Sequence, residues 1–476
     1  MLFNSIEYLF FYPLVVALYF SISNKHRWIF LLLSSYIFYM FLKAEYIIIL
    51  IAITLINYFI GKGLFNSESN SQRKVLLTIG LTSSLLILFV FKYSNFIIRT
   101  TRDILLFCGI NLEIGHMAFV LPVGISFYTF QTMGYIIDIY HRRIKSESNI
   151  GIFALYVSFF PQLLAGPIGR AKDLIPQLRV KHFLNHYGIR QGLQLILWGM
   201  IKKTVIAERL AVYVDKVFGS PHLYDGGTLT VATIFFSIQI YCDFSGYTDI
   251  AIGSAKIIGI DLTQNFKRPY LAKSLGEFWR RWHISLSTWF RDYVYIQLGG
   301  NKVTISRWCK NILIVFVLCG LWHGSAWTFV IWAILHGLAL IIERLFIYKI
   351  GQVRLIKHLA PRQLLNAISI VATVSFVSFS WIFFRANTVN DAFLIIERIM
   401  FGWGEFYIGN PSNFVYSLFG IVLVIASDVN GEWLKGRLSL FENKYRTIRH
   451  ASYAIAIIII LLIGVLDEGQ FIYFQF

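Results

Sequence analysis

Ionisable side chains inside long apolar runs are costly to bury, so they are the first candidates for chemistry in this sequence. His323 and His336 lie in one such run and Asp138 near the end of another. Asp243 and Asp249 fall within Tyr241-Cys242-Asp243-Phe244-Ser245-Gly246-Tyr247-Thr248-Asp249. His323 has the sharpest surroundings, Leu321-Trp322-His323-Gly324-Ser325-Ala326-Trp327. The unperturbed pKa of imidazole suits a general base near neutral pH, and the adjacent glycine lets a chain or substrate come close. His336 follows thirteen residues later. That is about 220° round a continuous helix, so the two histidines do not share a face. A bland reading stands beside each: an intramembrane histidine is often only a hydrogen-bonded link between helices. Asp243, Ser245, Thr248 and Asp249 read equally as a polar packing cluster or a helix break at Gly246.

Other chemistries lack their residues. There is no HExxH pair and no His, Cys and carboxylate set with metal spacing. A GxSxG elbow, a GxxxxGK[ST] loop and a Rossmann glycine fingerprint are likewise absent from the sequence. Metal hydrolysis, ATP-driven pumping and dehydrogenase chemistry therefore have no support.

The elements that must position these residues follow from composition. The 476 residues are 57% hydrophobic and only 14% charged, with a mean hydropathy of +0.64, against about 25% charged in ordinary globular domains. Asn311–Ile342 carries no Asp, Glu, Lys or Arg, and a spanning helix needs roughly 20 such residues. The chain reads as an all-α polytopic membrane protein. The net charge of +18 sits in clusters between apolar runs, as the positive-inside rule expects, and does not indicate nucleic acid. Cys108, Cys242, Cys309 and Cys319 form no CxxC pair and read as packing residues.

Candidate segments lie at 7–22, 28–42, 46–61, 75–92, 117–138, 151–166, 190–206, 228–242, 311–327, 328–343, 364–385, 412–428 and 450–466. Some are short enough to be tilted or re-entrant. No internal repeat is visible, which argues against an inverted-repeat transporter. Met1–Phe20 reads as a retained first span. Asn24-Lys25-His26-Arg27 puts its far end in the cytoplasm, and Lys444, Arg446, Arg449 and His450 do the same before the last run. Both termini are then expected outside, with ten or twelve crossings. Residues 261–310 differ, mixing Lys267, Arg268, Lys273, Arg280, Arg281 and Arg291 with Trp279, Trp282 and Trp289. They read as short helices at the interface. Helical spacing over Phe278–Tyr293 predicts one face carrying Trp279, Trp282, His283, Leu286 and Phe290.

Trp282-His283-Ile284-Ser285-Leu286-Ser287-Thr288-Trp289-Phe290-Arg291-Asp292-Tyr293, followed by Leu321-Trp322-His323-Gly324, resembles the membrane-bound O-acyltransferase family. More narrowly it resembles the bacterial alginate and peptidoglycan O-acetyltransferase branch. Pro122-Val123-Gly124-Ile125-Ser126-Phe127-Tyr128-Thr129-Phe130-Gln131, Leu164-Ala165-Gly166-Pro167-Ile168 and Gln239-Ile240-Tyr241-Cys242-Asp243-Phe244-Ser245-Gly246-Tyr247 match that branch too, in the right order along essentially the whole chain.

The resemblance implies one integral-membrane domain over 1–476: a ring of about ten to twelve tilted spans, with re-entrant helices, around a central tunnel. There a cytoplasmic acyl thioester, acetyl-CoA, would meet an acceptor. The invariant family histidine falls on His323, which would take the proton from an attacking hydroxyl. The second motif residue, His or Asn in relatives, falls on His283, which would hold the donor or stabilise the oxyanion. His336 matches a less essential position and reads as structural. Lys267, Arg268, Lys273, Arg280 and Arg281 would either bind coenzyme A phosphates or anchor the segment to anionic lipid. The segment 450–476 would hold the last span and an extracytoplasmic motif, Phe471-Ile472-Tyr473-Phe474-Gln475-Phe476. This is an aromatic belt on the bland reading and an acyl relay through Tyr473 on the reading the resemblance implies. The expected partner is an SGNH-hydrolase-fold enzyme acting on a cell-wall polymer or exopolysaccharide outside a bacterial inner membrane. D-alanyl transfer from a carrier protein and polysaccharide or lipid-linked sugar transport are the alternatives.

Overall fold

The computed structural model describes residues 1–112, 115, 121–350, 361–434, 436–437 and 439–465. Tyr473 and its neighbours lie outside the described residues. Within them every regular element is helical. In chain order the α-helices are α1 Ile6–Ser21, α2 Arg27–Met40, α3 Tyr46–Asn66, α4 Asn70–Lys92, α5 Ser94–Phe107, α6 Ile125–Tyr140, α7 Ile150–Ser158, α8 Phe160–Leu163, α9 Ala171–Arg179 and α10 His186–Met200. There follow α11 Glu208–Gly219, α12 Gly226–Ile257, α13 Leu275–Arg281, α14 Ile284–Phe290, α15 Ile305–His323, α16 Trp327–Ile350, α17 Arg362–Arg385, α18 Val389–Phe401, α19 Pro411–Trp433 and α20 Arg446–Ile463. Two compact units divide the chain: Met1–Leu193 with Ala251–Thr263, and Gln194–Ile250 with the residues from Gln264 on.

Eight helices among the described residues are long and apolar enough to cross a membrane: α3, α4, α12, α15, α16, α17, α19 and α20. The other segments expected from hydropathy are shorter or broken. The 151–166 run is two helices, because the backbone leaves helical geometry at Phe159 (ψ 109°) and Pro161 has no N–H to continue α7. The Phe160 N–H donates instead to Ser35 Oγ at 3.1 Å. The 228–242 segment proves to be part of the much longer α12, which passes through Gly246 without a break.

In the first unit α6 is apolar all round and buried along nearly its whole length, as such a helix must be. It is gripped by small residues, since a Cβ on Gly61 or Gly80 would meet Tyr135 or Ile136 at 2.7 Å. Gly124 starts α6 at φ +80°, where a Cβ would meet the Leu163 carbonyl oxygen at 2.7 Å. The Tyr8 and Tyr12 hydroxyls of α1 reach Ser254 Oγ and O, each at 2.7 Å.

In the second unit α10 and α11 are joined by a π-helical stretch, Ile201–Ala207. That widening turns Lys202 and Lys203 onto α12. Lys203 Nζ lies 2.6 Å from both Asp243 and Glu208, and Lys202 Nζ lies 2.7 Å from Asp249 and 3.0 Å from Ser245 Oγ. Gly199 and Gly246 face each other so closely that a Cβ on Gly246 would stand 2.8 Å from the Gly199 carbonyl oxygen. Of the two readings of this polar block, packing cluster or helix break, the structure shows the first, an ion-paired packing surface. α15 and α16 form a hairpin turned by Gly324-Ser325-Ala326, and a Cβ on Gly320 would meet the Phe329 carbonyl oxygen at 2.5 Å.

Candidate active site

His323 is the last residue of α15, where the helix stops and Gly324 goes extended at φ −158°. The space beside Gly324 is filled by the Phe329 ring of α16, which a Cβ would overlap at 2.0 Å. The close approach that the glycine allows is therefore made by the protein's own hairpin. The imidazole of His323 is buried among rings: Trp322 at 4.8 Å between centroids, Trp332 at 5.2 Å and Phe384 at 5.4 Å.

His283 reaches the same place from a different element. The single helical face expected over Phe278–Tyr293 does not exist, because α13 ends at Arg281 and α14 begins at Ile284. His283 sits at the break with φ 42° and ψ 55°, left-handed geometry that is strained for a residue with a Cβ. Asn265 holds it there. The Asn265 carbonyl accepts from the Ile284 N–H at 2.9 Å, and its Oδ1 accepts from the Ser285 N–H at 3.1 Å and the Ser285 hydroxyl at 2.9 Å. His283 Nδ1 lies 3.2 Å from the same Oδ1. A backbone N–H can only donate, so Oδ1 is fixed as an acceptor and Nδ1 carries the proton. The basic lone pair of His283 is then on Nε2. Asn265 Nδ2 is buried with no hydrogen-bond partner among the described residues.

The two imidazoles face each other at 6.5 Å between centroids, and Trp322 contacts both rings. Phe244 closes on His283 edge-on at 4.7 Å and Phe266 lies along it at 6.5 Å. Burial pushes the His283 imidazole down to about 3, so it is neutral throughout the physiological range.

His336 lies one layer behind. Its Nε2 is 2.8 Å from Ser380 Oγ, whose own proton goes to the Val377 carbonyl at 2.7 Å, so Nε2 is the donor. Rings of Trp279 and Trp332 flank it at 5.1 and 5.2 Å, and Trp332 also contacts His323.

The basic residues of 261–310 divide into two kinds. Arg268 and Arg281 share Glu432 at 3.2 and 2.8 Å, and Arg281 also binds Glu277 at 2.6 Å. Lys267, Lys273 and Arg280 are exposed. Asn265 and the Lys202–Lys203 network were not singled out by sequence reasoning. The only local signal for Asn265 is its position just before Lys267-Arg268-Pro269, where the apolar pattern ends.

Residues 142–385, which include all three histidines, match the model of the membrane-bound O-acyltransferase family. A probable alginate O-acetylase of Pseudomonas aeruginosa is 36% identical over 85% of this chain and 75% of its own. A peptidoglycan O-acetyltransferase of Helicobacter pylori is 33% identical over 78% of this chain and 73% of its own. A teichoic acid D-alanyltransferase of Bacillus subtilis is 28% identical over 56% of this chain and 69% of its own.

Proposed function

The chain belongs to the membrane-bound O-acyltransferase family, and from that premise we propose that it takes acetyl from cytoplasmic acetyl-CoA for O-acetylation of a polysaccharide outside a bacterial inner membrane. Alginate and peptidoglycan are the polymer classes named for its relatives. Those relatives match over far more of the chain than the D-alanyltransferases do, which favours acetyl. The observation that carries the reading is the meeting of His283 and His323, from separate elements, inside one buried aromatic enclosure.

In the proposed reaction His323 takes the proton as an acceptor hydroxyl adds to the thioester carbonyl. The tetrahedral intermediate collapses with cleavage of the C–S bond, and the departing thiolate takes that proton from the imidazolium. An ester and a free thiol result. His283, neutral and with its lone pair on Nε2, accepts a hydrogen bond from an N–H or O–H of a reactant. It cannot itself donate to an oxyanion from Nε2. That role falls to N–H groups nearby, and the Asn265 amide, buried beside His283, is proposed as one of them. Lys267 and Arg280, exposed and outside the Glu432 cluster, are proposed as coenzyme A phosphate contacts, with Arg268 and Arg281 shaping the entrance. Tyr473 is proposed as the acyl relay to an SGNH-fold partner, with both termini on the outer side.

Incubating the purified protein with isotope-labelled acetyl-CoA, with His323→Ala as control, tests this. A label on Tyr473 that vanishes in the variant supports donor, base and relay. Coenzyme A release with no labelled residue removes the relay. No release and no label removes acetyl-CoA as the donor.

A further inference from the structure

A second site lies in the first unit, on residues that the acyl-transfer reading does not use. A cavity of about 250 Å³ opens where α1 gives way to α2, opposite the start of α7 and the end of α9. Its floor is apolar: Leu31, Ile152, Leu178 and Ile260. Trp28 and Tyr19 form aromatic walls, and the mouth carries Asn24, Lys25, Arg27 and Arg179.

The mouth is one-sided in charge. Arg27 is fixed by carbonyls, donating to Ile22 O at 3.1 Å and His182 O at 2.6 Å, with its guanidinium over the Tyr19 ring at 4.9 Å. Neither Arg27 nor Lys25 has a carboxylate within ion-pair distance among the described residues. Arg179 is the third cation, and its Nε and Nη2 are held by the buried carboxylate of Glu147, leaving Nη1 for the cavity. Two of the lining amides are already engaged: Asn149 Oδ1 caps α7, and Gln177 is bonded both ways to the Asp261 backbone. What remains at the mouth is the Asn24 amide beside three cationic donors, a net positive charge that suits an anion.

The surroundings select the source of that anion. Val180, Phe183 and Leu184, directly after Arg179, are more than half exposed, and Leu18 and Ile29 stand out from α1 and α2 on either side of the basic turn. A water-facing phosphate site has no use for such a rim, whereas bases, aromatics and exposed aliphatics together fit the level of lipid headgroups. We propose that this cavity binds the phosphate of an anionic phospholipid, with its acyl chains along the exposed apolar side chains of α1 and α2.

The test titrates the full-length, delipidated protein in neutral detergent with phosphatidylglycerol, with phosphatidylcholine and with phosphatidylglycerol plus millimolar inorganic phosphate. Bound lipid is counted by native mass spectrometry. The expected result is one retained phosphatidylglycerol, at least about tenfold tighter than phosphatidylcholine and not displaced by phosphate. Lys25→Glu should lose about tenfold and Lys25→Arg should match the native protein; the Lys25 side chain is exposed and has no hydrogen bond or ion pair among the described residues, so both variants fold. Equal binding of the two lipids, displacement by phosphate, or indifference to Lys25→Glu would each overturn the proposal.

Discussion

The second unit buries two polar clusters by opposite means. Around Lys202 and Lys203 every ammonium is matched by a carboxylate within 2.7 Å, on a π-helical turn that exists to bring them together. Around His283 and His323 the described contacts are aromatic rings and the Asn265 side chain. The first arrangement fixes charge in place and resists any change in protonation. The second surrounds His283 with aromatic rings whose burial holds its imidazole neutral. The site proposed to move protons and the cluster that holds helices together are thus distinguished by what surrounds the polar atoms.

Exchanging the roles breaks this contrast, and the largest expected effect is on chemistry. His323→Ala should lower acetyl transfer by about 10²- to 10⁴-fold while leaving the unfolding temperature near that of the native protein. An equal loss of both would make His323 a packing residue. Lys203→Met should do the reverse, costing about 3–5 kcal/mol of stability because Asp243 and Glu208 are left buried and unpaired. Adding Asp243→Asn should recover part of that loss, as read by thermal unfolding in detergent.

Asn265→Ala comes next. It frees the left-handed backbone at His283 and the Nδ1 proton together, and an activity loss of about tenfold or more is expected, with Asn265→Asp restoring the acceptor but not the unused amide donors. His283 gives a pH signature. Its folded-state pKa of about 3 lies below the ordinary value of 6.5, so it favours the folded state least in acid. Stability should fall as the pH drops below about 6.5, where the unfolded imidazole takes up a proton and the folded one does not. His283→Asn should flatten that slope in unfolding measured across pH. The smallest effect is expected at Ser380→Ala, which removes the acceptor of His336 for about 1 kcal/mol and leaves the rate within a few-fold. A large rate loss there would move His336 from support into the reaction.

Much of this was legible in the sequence because it rests on residue type. Composition dictates a helical membrane protein, since only helices satisfy the backbone across such apolar lengths. The rarity of intramembrane histidines singles out His323, and the motif blocks name the family. Other features depend on where the chain bends, which residue type does not announce. Regular spacing put His283 on a continuous helix, yet the backbone turns left-handed there, because hydrogen bonds to Asn265, 18 positions earlier, outweigh the local helical preference. Gly324 promised close approach by a chain or a substrate, and it is Phe329 of the next helix that fills the space. Asp243 and Asp249 read equally as a packing cluster or a helix break, and lysines that a π-turn swings onto them decide for the cluster. Sequence determined what is buried, through transfer free energy summed residue by residue. Tertiary structure decided which buried polar atoms meet, because hydrogen bonds and ion pairs depend on ångström-scale geometry between elements far apart in the chain.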